Sequence, residues 1–260
     1  MNKSKTAQIT VSLISHGHGR MVQILTQDLK QFSEVSRVFL TQNIPEPRMP
    51  YCSGQVKLQV NAQPRGYGAN HNAAFRHVRT PYFCVLNPDL RIRQNPFPDL
   101  LKAMEDRSVG VCGPRITTPN GIPEDSHRFF PGPGDLLLKA FGRSQGKVPN
   151  RGGKKWEQKS WLAGMFLLFR TEAFARVGGF DEKFFLYYED VDICARLIAR
   201  GYRVRQVRRA SVVHDARRQS RRDLQYANWH LQSITRYFWK KWTGAYRKLS
   251  LEHPKSLPAS

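Results

Sequence analysis

Acidic residues are scarce in this chain of 260 residues: 20 Asp+Glu stand against 42 Lys+Arg, for a formal net charge of +22 at pH 7. A balance this basic implies an anionic partner. Long apolar runs are missing too. The longest, Trp161 to Phe169, is far too short to span a bilayer. The start, Met1-Asn2-Lys3-Ser4-Lys5, leads only into a short strand-like segment, which argues against a secretory signal peptide. The 4 cysteines (Cys52, Cys84, Cys112, Cys194) form no CxxC pair and sit mostly inside apolar segments, so they read as reduced core residues of a cytosolic protein. What is present is enough to fold: 40% hydrophobic and 11% aromatic residues can bury a core, in one domain or one domain with an extension.

The charge is uneven. Residues 200–260 hold 15 Lys+Arg and 3 Asp+Glu, a net +12, against a net +10 for the first 199 residues. Two bursts stand out, Arg200-Arg203-Arg205-Arg208-Arg209 and Arg217-Arg218-Arg221-Arg222. Beyond them Trp229, Tyr237, Phe238, Trp239 and Trp242 interleave with Arg236, Lys240 and Lys241. Such a segment suits nucleic acid, an anionic membrane face with aromatics at headgroup depth, or simply solvent. Against this background, five of the 20 acidic residues crowd between positions 181 and 192: Asp181, Glu182, Glu189, Asp190 and Asp192. Like charges repel, so a metal, a general base or a cationic ligand is needed to explain the cluster.

Along the chain, Ile9–Ile14, Val35–Leu40, Val56–Val60, Tyr82–Leu86 and Val109–Cys112 read as strands. Helical patterns cover Met21–Phe32, Ala69–Val78 and Phe97–Asp106, and Gln42–Gly54, with its prolines, reads as a loop. This alternation predicts an α/β fold with a mostly parallel sheet flanked by helices. Residues 113–160 break the rhythm, with only Leu136–Phe141 looking helical, as a lid or substrate-binding insertion would. Helices are expected again at Thr171–Val177 and Glu189–Gly201, then two short strands, Arg203–Val207 and Ala210–Val213, and a basic C-terminal helix.

Three stretches carry chemistry. Asp89 follows a buried strand at its carboxyl end, where open α/β sheets place ligands. With Asn87 beside it, its carboxylate suits Mg²⁺ or Mn²⁺ shared with substrate phosphates, although Asn87-Pro88-Asp89 also makes an ordinary turn. Gly66-Tyr67-Gly68-Ala69-Asn70 before a helix allows a phosphate or nucleoside to approach closely, or just turns the chain, with Asn70 as a cap. More specific is Gly178-Gly179-Phe180-Asp181-Glu182 followed by Phe184 to Tyr188 and Glu189-Asp190-Val191-Asp192. Acids at a helix start suit its dipole. Aromatics just ahead of them build a half-buried wall that raises a carboxylate's basicity.

Gly179-Phe180-Asp181-Glu182 with Phe185, Glu189-Asp190-x-Asp192 and Arg196 resembles the acceptor-side motif of family-2 inverting glycosyltransferases. Leu86-Asn87-Pro88-Asp89 resembles their Asp-x-Asp signature in the form of rhamnosyltransferase-like members, and Gly66-Tyr67-Gly68-x-x-x-Asn72 their nucleotide-side loop. Trp161-Leu162-Ala163-Gly164-Met165 is similar to the segment lining their acceptor site. The likeness runs from about Ile9 to His214. It implies a GT-A (Rossmann-like) fold over residues 1–215, with a nucleotide-sugar half (1–112) and an acceptor half (113–215), followed by a basic helical extension (216–260). It implies Asp190 as base and Glu189 as its or the acceptor's orienting group. Asp89 and His214 would hold Mg²⁺ or Mn²⁺ on the donor diphosphate. Ser15, His16, Asn43, Gly66, Gly68, Asn72 and Asn87 would face the nucleotide sugar, and Trp161, Gly164, Asp181 and Glu182 the acceptor. His214 alone reads equally as a structural histidine.

Two strand ends depart from the family pattern. The first ends in Ser15-His16-Gly17-His18 instead of a Tyr-Asn pair, with His16 and His18 reaching a donor phosphate or capping the next helix. The second ends in Thr41-Gln42-Asn43, without the usual acid. The expectation is an inverting, metal-dependent enzyme of bacterial surface-polysaccharide synthesis, moving a sugar, rhamnose by the Asn-Pro-Asp form, from a nucleotide-diphosphate donor to a saccharide or lipid-linked saccharide. It would be cytoplasmic and peripheral on the inner membrane face, held through Trp229, Trp239, Trp242 and the basic residues, with no nucleic acid. The alternatives are a basic nucleic-acid or anionic-surface binder, and an inactive relative.

Overall fold

The computed structural model describes residues 8–46, 54–132, 134–135, 148, 156–215 and 224–251. Cys52, the helical pattern Leu136–Phe141 and the burst Arg217-Arg218-Arg221-Arg222 lie outside them.

One mixed sheet of eight strands organises the chain, in the order β3-β2-β1-β4-β9-β6-β10-β5. β1 (Ile9–Ser15), β2 (Val35–Gln42), β3 (Val56–Val60) and β4 (Tyr82–Leu86) run parallel, as does the pair β6 (Val109–Thr117) and β10 (Arg203–His214). β5 (Leu90–Arg91) and β9 (Phe166–Arg170) are antiparallel to their neighbours. β7 (His127–Phe129) and β8 (Ser160–Leu162) make a separate two-stranded ribbon.

Side chains alternate across the sheet with the period of two that a pleated strand imposes. Cys84 and Leu86 on β4, and Phe166 and Leu168 on β9, join one core with α1 (Arg20–Lys30) and α3 (Phe97–Met104). Phe83, Val85, Leu167 and Phe169 join a second, aromatic core on the opposite face. That core packs against α4 (Thr171–Arg176) and α5 (Glu189–Ala199), and it includes Tyr237 of α6 (Leu224–Trp242). α1 buries Met21, Val22, Leu25 and Leu29, the spacing of an amphipathic helix. α2 (Tyr67–Phe75) starts two residues ahead of the helix the pattern suggests, because Gly66 already takes the extended N-cap conformation. α7 (Ala245–Leu251) closes the described chain.

The structure settles one apolar run and changes one expectation. The apolar run from Trp161 to Phe169 is two strands, β8 and β9, and β9 inserts antiparallel between β4 and β6. A short apolar run states neither its direction nor its neighbours. The two strands expected at Arg203–Val207 and Ala210–Val213 are one strand, β10, whose register against β6 shifts between Val207 and Ser211. A bulge absorbs the intervening residues without ending the strand. β10 also uses two cations of the first basic burst: Arg203 and Arg205 pair with Glu157 at 3.0 and 2.8 Å, and both reach Asp106.

Candidate active site

The parallel strands end along one edge of the sheet. Ser15, Asn43 and Asn87 stand at or just beyond the ends of β1, β2 and β4, and His214 ends β10. Because β9 is antiparallel, the Gly164-Met165 turn ahead of it lies at the same edge, where Met165 O accepts from Asn87 N at 2.9 Å. Open α/β sheets bind their ligands there.

At this edge Asp89 and His214 meet. His214 Nε2 lies 3.0 Å from Asp89 Oδ2, and Nδ1 lies 2.7 Å from Glu124 Oε2. A turn after β6 brings Glu124 back against Ile116, a placement that sequence spacing does not reveal. Burial opposes a charge on His214, but the hydrogen bonds and charges of Asp89 and Glu124 overcome it and raise its pKa to about 9. For Asp89, burial acts upward and His214 more than reverses it, so the carboxyl sits below its ordinary range. Both ring nitrogens of His214 are therefore engaged, whereas Asp89 Oδ1 is buried with no hydrogen-bond partner. That free carboxylate oxygen fits a hard divalent cation. His214 fits as the group behind the ligand, orienting it. Among the described residues no group of three His, Cys, Asp or Glu side chains is arranged to hold a metal ion by itself, so substrate oxygens and water would complete such a site.

The acidic helix α5 begins from an unusual backbone. Tyr187 and Tyr188 have φ of 71° and 64°, left-handed values that cost an L-residue with a bulky side chain roughly 1–2 kcal/mol each. Packing holds them there: Tyr187 meets His230, and Tyr188 meets His230 and Tyr237, with ring centroids 5.3 to 5.8 Å apart. The turn aims Glu189 and Asp190 into the molecule. Asp190 Oδ2 accepts from Gly164 N at 2.8 Å, and Oδ1 from Val191 N at 2.8 Å. Glu189 Oε2 is buried and has no partner. Burial, then the charge of Asp190, pushes the Glu189 pKa well up. Burial raises Asp190 as well, opposed by the two backbone N–H groups and by Arg128. Hydrogen bonds favour the charged form, so of the pair Asp190 is the one held toward its charged form and Glu189 the one pushed toward its protonated form.

Tyr67, which sequence reasoning passed over, ties both halves of the edge together. Its hydroxyl lies 2.7 Å from Gly164 O and 3.2 Å from Asn87 Oδ1, giving its single proton to one of them at a time. Burial, followed by the charges of Glu189, Asp190 and Asp89, keeps it protonated. Gly164 lies against both groups: a Cβ built on it would meet Tyr67 Oη and Asp190 Oδ2 at 3.5 Å, an ordinary van der Waals contact.

Gly66 and Gly68, at the start of α2, each meet another part of the chain at close range. A Cβ on Gly66 would lie 2.8 Å from Phe185 O, and one on Gly68 2.7 Å from Phe180 Cβ. They admit the 178–188 segment against α2. Asn72 secures the same contact: its amide binds Phe180 O and Glu182 Oε1 at 2.9 and 3.1 Å and accepts from Phe180 N at 2.9 Å. Asn43 is engaged as well. Its Oδ1 accepts from Arg65 N, Asn61 and Asn70 at 2.8 to 3.0 Å, and its Nδ2 meets Arg65 O and His16 at 2.9 and 3.1 Å. Ser15 accepts from His18 N at 3.3 Å, which makes it a local cap. Trp161 is buried under Arg128 and donates to Phe129 O at 3.1 Å.

Two of the five clustered acids face the C-terminal helices. Asp181 Oδ2 accepts from Arg236 at 2.8 Å and Lys240 at 3.0 Å; burial works against its charge, but these two cations hold its pKa at about 2. Asp192, fully buried, accepts from Arg196 at 2.7 Å, from Tyr246 at 2.8 Å and from Lys240. Trp229 packs on Phe185 with tilted rings whose centroids lie 4.5 Å apart, and Ser233 donates to Leu186 O at 2.9 Å. The crowding is thus resolved by division: Asp181 and Asp192 bind cations of the same chain, and Glu189 and Asp190 remain at the sheet edge.

The mixed, mostly parallel sheet flanked by helices, with polar side chains gathered along its strand-end edge, has the GT-A fold. The model of glycosyl transferase family 2 matches residues 41–178, a little over half the chain, and the chain belongs to that family. A second model, the N-terminal domain of galactosyltransferase, matches residues 152–217. The rhamnosyltransferase WbbL of Escherichia coli K12 is 27% identical over 247 residues, 90% of this chain and 93% of that protein. The N-acetylglucosaminyl-diphospho-decaprenol L-rhamnosyltransferase of Mycobacterium tuberculosis is 33% identical over 148 residues, 54% of this chain and 48% of its own length. In fold the chain resembles the mannosyltransferase PcManGT from Pyrobaculum calidifontis, solved in complex with GDP-Man and Mn2+, with a TM-score of 0.58 at 15% identity over 84% of this chain and 62% of that one. No described helix is long and apolar enough to cross a membrane.

Proposed function

We propose that this glycosyltransferase moves rhamnose from a nucleotide-diphosphate donor to a hydroxyl of a saccharide, lipid-linked in its natural form, during surface-polysaccharide synthesis, with inversion at the anomeric carbon. The observation that carries the reading is the Asp190 carboxylate, fixed by two backbone N–H groups and joined through Gly164 and Tyr67 to Asn87, two residues from Asp89. Asp190 takes the proton of the acceptor hydroxyl as its oxygen attacks the sugar from the face opposite the departing diphosphate. Glu189, protonated beside it, keeps a second negative charge off the site and can donate to the acceptor. Asp89, oriented by His214, would hold Mg²⁺ or Mn²⁺, whose charge offsets that of the leaving diphosphate. The mycobacterial relative's name supports a diphosphate-lipid acceptor, both relatives' names support rhamnose, and the Mn2+ complex of the mannosyltransferase supports the cation.

Asp190→Asn tests the reading, with a panel of nucleotide sugars and a synthetic lipid-diphosphate saccharide. The expected loss in kcat is about 10³-fold or more, with the melting temperature preserved and donor binding retained. Near-normal turnover by the variant would remove Asp190 from the role of base, and transfer of another sugar in preference would replace rhamnose.

A further inference from the structure

Helix α6 has two faces of different chemistry. At 3.6 residues per turn, Ser233, Tyr237 and Lys240 fall on one side, and Leu224, Leu231, Trp239 and Trp242 fall on the other, within a sector of about 80°. The first set is clasped onto the 181–192 segment: Ser233 and Tyr237 are buried, and Lys240 spans Asp181 and Asp192. The second set stands in solvent, with Leu224 88%, Leu231 63%, Trp239 62% and Trp242 86% exposed. Seven large apolar side chains are exposed among the described residues, and four of them form this one row. The row is about 27 Å long at 1.5 Å per residue. Soluble surfaces rarely leave such a row uncovered unless something binds it.

Charge selects the occupant. Residues 224–251 contain no Asp or Glu, and they carry Arg236, Lys240, Lys241, Arg247 and Lys248. Arg236 and Lys240 are spent inward on Asp181 and Asp192, while Arg247 and Lys248 are exposed, as is Lys241, whose ammonium also donates to Pro131 O at 2.9 Å. The molecule as a whole carries +22, so a second copy would meet like charge. An anionic bilayer meets opposite charge, and indoles with leucines along one side of a helix suit headgroup depth. We propose that the outward face of α6, Leu224, Leu231, Trp239 and Trp242, docks this protein on an anionic lipid surface. The contact differs from the one the basic pattern suggests: Trp229 is turned inward onto Phe185, and the cations nearest the acidic cluster are not available to lipid. With the inner face of the helix fixed to the 181–192 segment, a bilayer on the outer face lies beside the candidate site.

Sedimentation with vesicles of phosphatidylcholine alone and with added phosphatidylglycerol, using the full chain without substrates, tests this. The wild-type chain is expected to bind the anionic vesicles and not the neutral ones. Trp239→Ser with Trp242→Ser should weaken that binding at least about tenfold, with the melting temperature unchanged because both rings are exposed. Lys241→Gln with Arg247→Gln and Lys248→Gln should weaken it in the same direction. No binding, equal binding to both vesicle types, unaltered binding by the tryptophan variant, or a wild-type dimer that the tryptophan substitutions split would each overturn the proposal. Transfer to a water-soluble acceptor should be the same in the tryptophan variant as in the wild type. If neither protein transfers sugar while vesicle binding behaves as expected, the docking stands and the proposed reaction falls.

Discussion

Tyr67 puts one hydroxyl between the backbone that orients Asp190 and the side chain that follows β4. Tyr67→Phe keeps the ring, its edge contact with His71 and most of the packing, and removes only that link. The expected result is roughly a tenfold lower kcat with a loss of stability near 1 kcal/mol, measured by steady-state kinetics and urea unfolding. The carboxylate pair makes a second prediction. Burial raises both acids, and a base works only when ionised, so the acid limb of kcat/KM should fall at a pH above the ordinary carboxylate value of about 4. Glu189→Gln keeps a neutral group beside Asp190, as the protonated acid does, so the limb should stay a single ionisation at about the wild-type pH. A limb that falls to clearly lower pH in this variant would show instead that Glu189 is ionised while the base titrates. Asp190 was legible because four residue types in one order are rare. Tyr67 and Glu124 were not, since each acts by reaching a partner far away along the chain.

At the scale of elements, the segment from Gly178 to Tyr188 is held from two sides. α2 receives it through Gly68, so Gly68→Ala sets a methyl 2.7 Å from Phe180 Cβ and should destabilise the fold by about 1–3 kcal/mol, read as a lower melting temperature. α6 grips it through Lys240. Lys240→Met leaves Asp192 buried with Arg196 and Tyr246 alone, and the expected cost is about 2–3 kcal/mol. A variant as stable as the wild type would show that the clasp is not needed to hold α5. Both predictions concern residues that the sequence pointed toward other tasks, Gly68 toward a phosphate and Lys240 toward a membrane. Motif spacing identifies a close approach or a cation; it does not say what approaches or what the cation meets.

For the molecule as a whole, the sequence alone determined the α/β alternation, the family and the position of the acidic exception in a basic chain. These follow from properties that act locally: hydrophobic period, turn residues, and charges that repel over a few residues. Tertiary structure decided the direction of β9 and with it the arrival of Gly164 at the same edge as Asn87. It decided which of the clustered acids stay at that edge, since Asp181 and Asp192 are neutralised by residues some 50 positions later. It also decided which face of the C-terminal helix is left to the outside. A strand's direction and a charge's partner depend on contacts between residues distant in the chain, and the local pattern carries no record of them.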